Sequence, residues 1–320
     1  MIQYSFWGNS QLSSIVLTEL IKLNFPPSLV ITFSAKPVGR KHELKSNIVE
    51  EIAKQNNIKI LYANDIKEDS FIQKIKESKI EVGIIASFGK IIPKNIIKLF
   101  KFGLINVHPS LLPRFRGPSP IQGSILNGET TTGTTLFIID EEIDHGPILG
   151  SLQTDISFDD NFNTLLNKLG ILGAKLVVNL LPNYLSGKLM IKPQEDPKAT
   201  FTSKYQFENC HINWDEPTMK VYNFIRALSH EPGTFSYFRK NNKDTILKII
   251  SAKLVMEPEL YAELQKSYIT LDSGSIINFQ KRFFIKTFDG FIELLDVHPD
   301  GKKIMPFLNF YNGNKIDRLY

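Results

Sequence analysis

The first half of the chain alternates short apolar runs with stretches whose apolar residues recur at helical spacing. Met1–Trp7 ending at Gly8, Leu29–Phe33, Ile58–Tyr62, Val82–Ala86 and Gly103–Val107 read as strands. Between them, Ser10–Leu23 carries Ile15, Leu17, Leu20 and Ile21 on one helical face. Leu44–Gln55, Phe71–Ser78 and the segment from Pro93 to Phe100 read as further helices. This alternation predicts an α/β fold with a Rossmann-like parallel sheet, in which ligands bind outside the carboxyl ends of the strands.

Thr131–Asp140 and Gly146–Asp155 read as two more strands around a loop. Asn161–Leu185 reads as one long helix with Leu165, Leu166, Leu169, Leu172 and Val177 on its apolar face. The chain then turns polar and passes Pro193 and Pro197. We therefore expect a first domain over residues 1–188, a linker over 189–205 and a second domain over 206–320. The second part has one helix, Met219–Leu228, and then short alternating runs: Thr234–Arg239, Thr245–Val255, Gly274–Asn278, Arg282–Thr287 and Phe291–His298. Glycines separate these runs, as in a small OB-like β-barrel.

Composition adds little to this picture. The formal net charge is +5 over 320 residues. The excess is spread, with 22 basic against 19 acidic residues in 1–200 and 16 against 14 in 201–320. It marks no basic tail. The single cysteine, Cys210, has no intramolecular partner, which favours a reducing compartment. The first residues lack the pattern of a signal peptide, and no apolar run approaches the roughly 18 residues of a membrane helix. The expectation is a cytoplasmic monomer with no membrane partner.

The chemistry concentrates after the strand that ends at Val107. Asn106 and His108 are two residues apart and so share a side of an extended chain. The loop that follows, through Pro109, Pro113, Pro118 and Pro120, is stiffened by its prolines. A second polar loop, Asp140–Pro147, brings in Asp144. Asn can donate to a developing oxyanion, His can move a proton near neutral pH, and a carboxylate can orient it. Together these are the parts for moving an acyl group between two nitrogens. There is no G-x-G-x-x-G, no phosphate-binding G-x-x-x-x-G-K-[ST] loop and no Cys/His spacing for zinc. Ala35–Lys45 is a second feature, a cationic loop containing Arg40 and Lys41 that suits phosphate contact.

Asn106-x-His108, Ser110-Leu111-Leu112-Pro113-x-x-Arg116-Gly117, Thr132-Gly133-x-Thr135 and Asp140-Glu141-x-x-Asp144-x-Gly146 resemble the formyltransferases that use 10-formyltetrahydrofolate. Pro37-x-Gly39-Arg40-Lys41, Pro193-Gln194, Ala199–Thr202, Ile212-Asn213-Trp214 and Gly301-Lys302-Lys303 narrow the resemblance to the methionyl-tRNA formyltransferases, nearly end to end. The resemblance implies Asn106, His108 and Asp144 as the catalytic residues. It implies a folate site lined by Ser110, Leu111, Leu112 and Pro113, with the backbone around Phe88, Gly89 and Ile91 holding the pterin. It also implies initiator methionyl-tRNA as acceptor, met by Arg40, Lys41 and the C-terminal barrel, and no metal. An amino-sugar nucleotide as acceptor, or a non-catalytic RNA-binding relative, are the alternatives. Gly8-Asn9-Ser10 departs from the family's usual Gly-Thr-Pro, and Ser87-Phe88-Gly89 from Ala-Tyr-Gly.

Overall fold

The computed structural model describes residues 2–38, 43–45 and 47–320. It divides into two compact units. The first comprises Met1–Pro120, Thr131–Asp155 and Thr164–Thr202, and the second Ile121–Thr130, Ile156–Asn163 and Ser203–Tyr320.

The first unit begins with β1 (Ser5–Gly8), α1 (Gln11–Lys22) and β2 (Leu29–Thr32). The short pair β3 (Lys36–Val38) and β4 (Glu43–Lys45) precedes α2 (Ile48–Gln55), β5 (Lys59–Tyr62) and α3 (Asp69–Ser78). Then come β6 (Gly83–Ala86), α4 (Lys94–Ile97) and β7 (Leu104–His108). The helix α5 (Pro120–Leu126) lies between β7 and β8 (Thr131–Ile138) in sequence, and β9 (Ile148–Asp155) and α6 (Phe162–Leu185) follow. The sheet order is β5-β2-β1-β6-β7-β8-β9. The strands from β5 to β7 are parallel, whereas β8 and β9 are antiparallel additions. A short loop joins β8 to β9, and only an antiparallel pair can be joined that way.

The order reverses between β1 and β6, because the chain builds outward from β1 in both directions. That is the topological switch point, where a crevice opens beyond the carboxyl ends. Ser10 caps α1 there in a capping box with Ser13, and the Ser13 hydroxyl also donates to Ala86 O at the end of β6. Gly8-Asn9-Ser10 thus ends in a helix cap, and α1 starts directly after it.

Trp7, Phe71, Phe88 and Phe100 fill the core on one side of this sheet, with the Phe71, Phe88 and Phe100 rings set edge-on to Trp7. The helix α6 has the length and composition of a membrane span. Leu165, Leu166, Leu169, Leu176, Val177 and Leu181 are nevertheless buried within the protein, as in a core helix.

The second unit contains α7 (Thr218–Leu228), β10 (Thr234–Lys240), β11 (Lys243–Leu254), α8 (Pro258–Tyr268), β12 (Ile276–Phe279), β13 (Arg282–Lys286), β14 (Phe291–Pro299), β15 (Met305–Pro306) and α9 (Phe307–Asn314). Its antiparallel sheet runs β10-β11-β14-β13-β12, with β15 added to β14. The core beneath it includes Ile212, Trp214, Ile225, Phe283, Phe307 and Leu319. Cys210 is buried, and burial pushes its thiol up to about 11.

Segment 317–320 spans between the two edge strands. Tyr320 exchanges both backbone hydrogen bonds with Tyr237 of β10, and Ile276 N of β12 donates to Asp317 O. Leu319 N donates to Gly274 O, and the Leu319 side chain is fully buried. The sheet is thus closed by a segment too short and too polar to read as a strand. We expect Leu319→Ala to cost this unit about 2–5 kcal/mol. Amide hydrogen exchange should accelerate at Tyr237 and Ile276, and unchanged exchange there would show that the segment does not hold the edges.

Candidate active site

Each site residue owes its place to an edge of the sheet or to a loop beyond it. On β7, Asn106 is paired with Ile85 of β6 and Phe137 of β8, and His108 lies opposite Thr135 of β8. The Asn106 side chain is half-buried. The His108 ring is buried and edge-on to Phe137. Its Nε2 donates to Phe115 O at 3.0 Å, which leaves Nδ1 facing Asp144 Oδ2 at 3.6 Å. A proton on Nδ1 would stand between ring and carboxylate. That nitrogen is therefore the position at which this site can take up and release a proton.

Asp144 arrives from the β8–β9 loop with φ +50, in the left-handed region. Its Oδ2 accepts the Gly117 N–H at 2.7 Å, a charge-assisted bond. Two residues on, a Cβ at Gly146 would lie 1.8 Å from Ile138 O. Only glycine lets this turn close on β8, where Ile138 N donates to Pro147 O. The Asp-x-Gly spacing of the sequence thus has a steric cause.

The loop after His108 is braced from β8. Thr135 Oγ1 donates to Ser110 O at 2.7 Å and accepts the Leu112 N–H at 3.1 Å. Ser110 is itself buried, and its hydroxyl donates to Arg114 O. Leu112 is buried, while Leu111 and Pro113 remain half-buried beside it. At the end of β6, the Phe88 ring stacks on Phe33 in the core, so its side chain faces away from any ligand. Gly89 has φ +82 with open space where a Cβ would stand, and Ile91 is 94% exposed. Over 88–91, the open groups thus include the backbone at Gly89 and the Ile91 side chain, while the Phe88 ring belongs to the core. Arg40 and Lys41 lie outside the described residues.

Five supporting residues are not evident as site residues from the sequence. Gln194 Nε2 donates to Asp144 O at 2.8 Å and to Gly146 O at 2.9 Å. Its Oε1 accepts from Arg116 Nε and a second guanidinium nitrogen at 3.1 and 2.8 Å. The buried Arg116 also pairs with Asp196 at 2.7 Å, and it holds the Asp196 carboxyl below its ordinary value. Thr200 Oγ1 accepts the Phe115 N–H, and Thr202 Oγ1 accepts the Ser119 N–H. Residues 192–202, expected as part of a linker, thus lie as a strap on the first unit, with a bridge from Lys192 to Ile148 and another from Phe201 to Arg116. The hint in the sequence is that Pro193-Gln194, Ala199–Thr202 and Arg116-Gly117 belong to the motifs of the resemblance.

Beside Asp144, His145 Nδ1 donates to Asp140 Oδ2 at 2.7 Å, and this bond raises His145 above its ordinary 6.5. Its contribution to stability is full below the unfolded value and is lost as pH rises through the higher folded value. Asp140→Asn should bring the His145 titration, followed by NMR at the ring protons, back toward 6.5. A titration that stays where it was would exclude Asp140 as the cause.

Residues 8–181 match the formyl transferase family, and residues 204–315 match the formyl transferase C-terminal domain. The methionyl-tRNA formyltransferase of Thermodesulfovibrio yellowstonii is 33% identical over 98% of this chain and 96% of its own. That of Dictyoglomus turgidum is 35% identical over the same shares. Among solved structures, the N-formyltransferase from Helicobacter canadensis, in complex with folinic acid and dTDP-3-aminofucose, superposes with a TM-score of 0.64. It is 23% identical and matched over 92% of this chain and 99% of its own, a likeness of fold. On these full-length matches, the chain belongs to the methionyl-tRNA formyltransferases of the formyl transferase family.

Proposed function

We propose that this protein transfers a formyl group from 10-formyltetrahydrofolate to the α-amine of methionine carried by initiator tRNA. The observation that carries the reading is the His108–Asp144 pair, 3.6 Å apart, beside Asn106 on the same strand. Full-length relatives named methionyl-tRNA formyltransferase support the acceptor. The folate fits the residues present: an open backbone at Gly89 suits the hydrogen-bonding edge of a planar ring, and the braced Leu111–Pro113 segment offers apolar surface.

In this mechanism the amine nitrogen bonds to the formyl carbon, and the bond from that carbon to the folate nitrogen breaks. The Asn106 amide donates to the negative charge growing on the formyl oxygen. His108 Nδ1, held against Asp144, carries the proton lost by the amine toward the departing nitrogen. Burial of the ring keeps water from competing for that proton. Arg40 and Lys41 contact phosphates of the tRNA, so they act on acceptor binding and not on the transfer step.

The test is a formyl-transfer assay with methionyl initiator tRNA in one tube and an amino-sugar nucleotide in the other. Formylated tRNA is expected, and formylation of the sugar alone would overturn the acceptor. Asn106→Ala should lower kcat by about 10²–10³, the usual cost of one oxyanion donor, with the circular dichroism unchanged. Near-normal turnover would remove that role. Arg40→Ala with Lys41→Ala should weaken tRNA binding and flatten its salt dependence by about one unit of slope for each phosphate left without its cation, with the folate KM in place. An unaltered salt slope would separate this loop from the RNA.

A further inference from the structure

Gln194 uses its whole hydrogen-bonding capacity on the site. Its two amide protons go to Asp144 O and Gly146 O, and its oxygen takes two bonds from Arg116. Arg116 is fixed in turn: its guanidinium is buried, and its remaining charge is met by Asp196. Of the two carbonyls that Gln194 holds, one is that of Asp144 itself, the residue of this turn with both a left-handed backbone and a carboxylate facing His108, and the other is that of Gly146 two residues on.

We propose that Gln194 is a positioning residue for formyl transfer, which clamps the Asp144 turn to Arg116 so that the carboxylate stays on His108. The inference rests on the formyl-transfer reading of the site. The chemistry of the side chain makes it separable from a plain packing role. Gln194→Glu keeps the shape and strengthens the contact with Arg116, because a carboxylate accepts a guanidinium better than an amide does. The same change removes both donors and sets negative charge against the Asp144 and Gly146 carbonyls. A residue that merely docks the strap tolerates Glu; a residue that holds Asp144 does not.

The experiment uses the full chain. Gln194→Glu is expected to lower kcat about 10- to 100-fold, the scale of a displacement near 1 Å, with KM for folate and tRNA within about two-fold of wild type. Its melting temperature should stay within a few degrees of wild type, the lost amide bonds being partly offset by the stronger contact with Arg116. The loss should be contained in that of Asp144→Asn, so that the double variant is no slower than Asp144→Asn alone. Multiplying effects, or a wild-type kcat for Gln194→Glu, would overturn the proposal.

A readout free of substrate keeps this distinct from the function itself. The Gly117 amide, bonded to Asp144 Oδ2, should move upfield in the proton–nitrogen NMR spectrum of Gln194→Glu. If wild type formylates neither acceptor, the functional reading fails while this shift still decides the clamp. An unmoved Gly117 amide would overturn the clamp in either case.

Discussion

A guanidinium almost wholly out of water must be surrounded by acceptors, and meeting that need at Arg116 ties together three separate stretches of chain. Its own loop leaves β7 beyond His108, and its partners Gln194 and Asp196 come from the strap about 80 residues later. Through Gln194 the contact reaches the Asp144 turn. An unpaired buried charge costs several kcal/mol, more than any one hydrogen bond contributes, so the three stretches are fixed together or not at all. The carboxylate, the imidazole and the amide of the site therefore sit on a common support made of parts distant in sequence.

The sheet supplies the other half of that support. With parallel β6 on one side and the added antiparallel β8 on the other, β7 has a hydrogen-bonded neighbour on each side, so Asn106 and His108 stand on a strand that cannot slide. β8 contributes more than pairing. Thr135 occupies both a carbonyl and an N–H of the Ser110–Leu112 loop, groups that would otherwise be left unsatisfied in a buried turn. The same strand carries Gly133, which leaves room for Leu111. A threonine-rich strand buried in a core looks costly until each hydroxyl is followed to its partner, as Thr134 is to Leu169 O.

Much of this is legible in the sequence, and the division follows a physical line. Periodicity marks the strands and helices that bury an apolar face, because burial is what the pattern encodes. Asn106 and His108 can be paired from spacing alone, since side chains on a strand repeat every second residue. Residues whose role depends on a partner far along the chain leave no local trace. Gln194, Arg116 and Asp196 look like ordinary polar positions in a loop and a linker. The closing segment 317–320 is equally silent, for only Leu319 in it is strongly apolar. The helix α8 is a different kind of omission: Leu260, Tyr261, Leu264 and Tyr268 follow helical spacing after Pro258, and the strand pattern on either side obscures them.

The strain at Asp144 shows why these silent contacts matter. A non-glycine residue held at positive φ costs of order 1–3 kcal/mol, toward the lower end for aspartate. The charge-assisted bond from Gly117 contributes about 1.5–3 kcal/mol, and the two Gln194 donors about 0.5–1.5 kcal/mol each. The Gly117 bond alone matches or exceeds the strain, and the two Gln194 donors add a margin of about 1–3 kcal/mol. Asp144 relaxing to an ordinary backbone conformation would swing its carboxylate away from His108. The carboxylate that faces His108 is therefore maintained by Gly117 of the loop after β7 and by a residue of the strap, and not by its own loop alone.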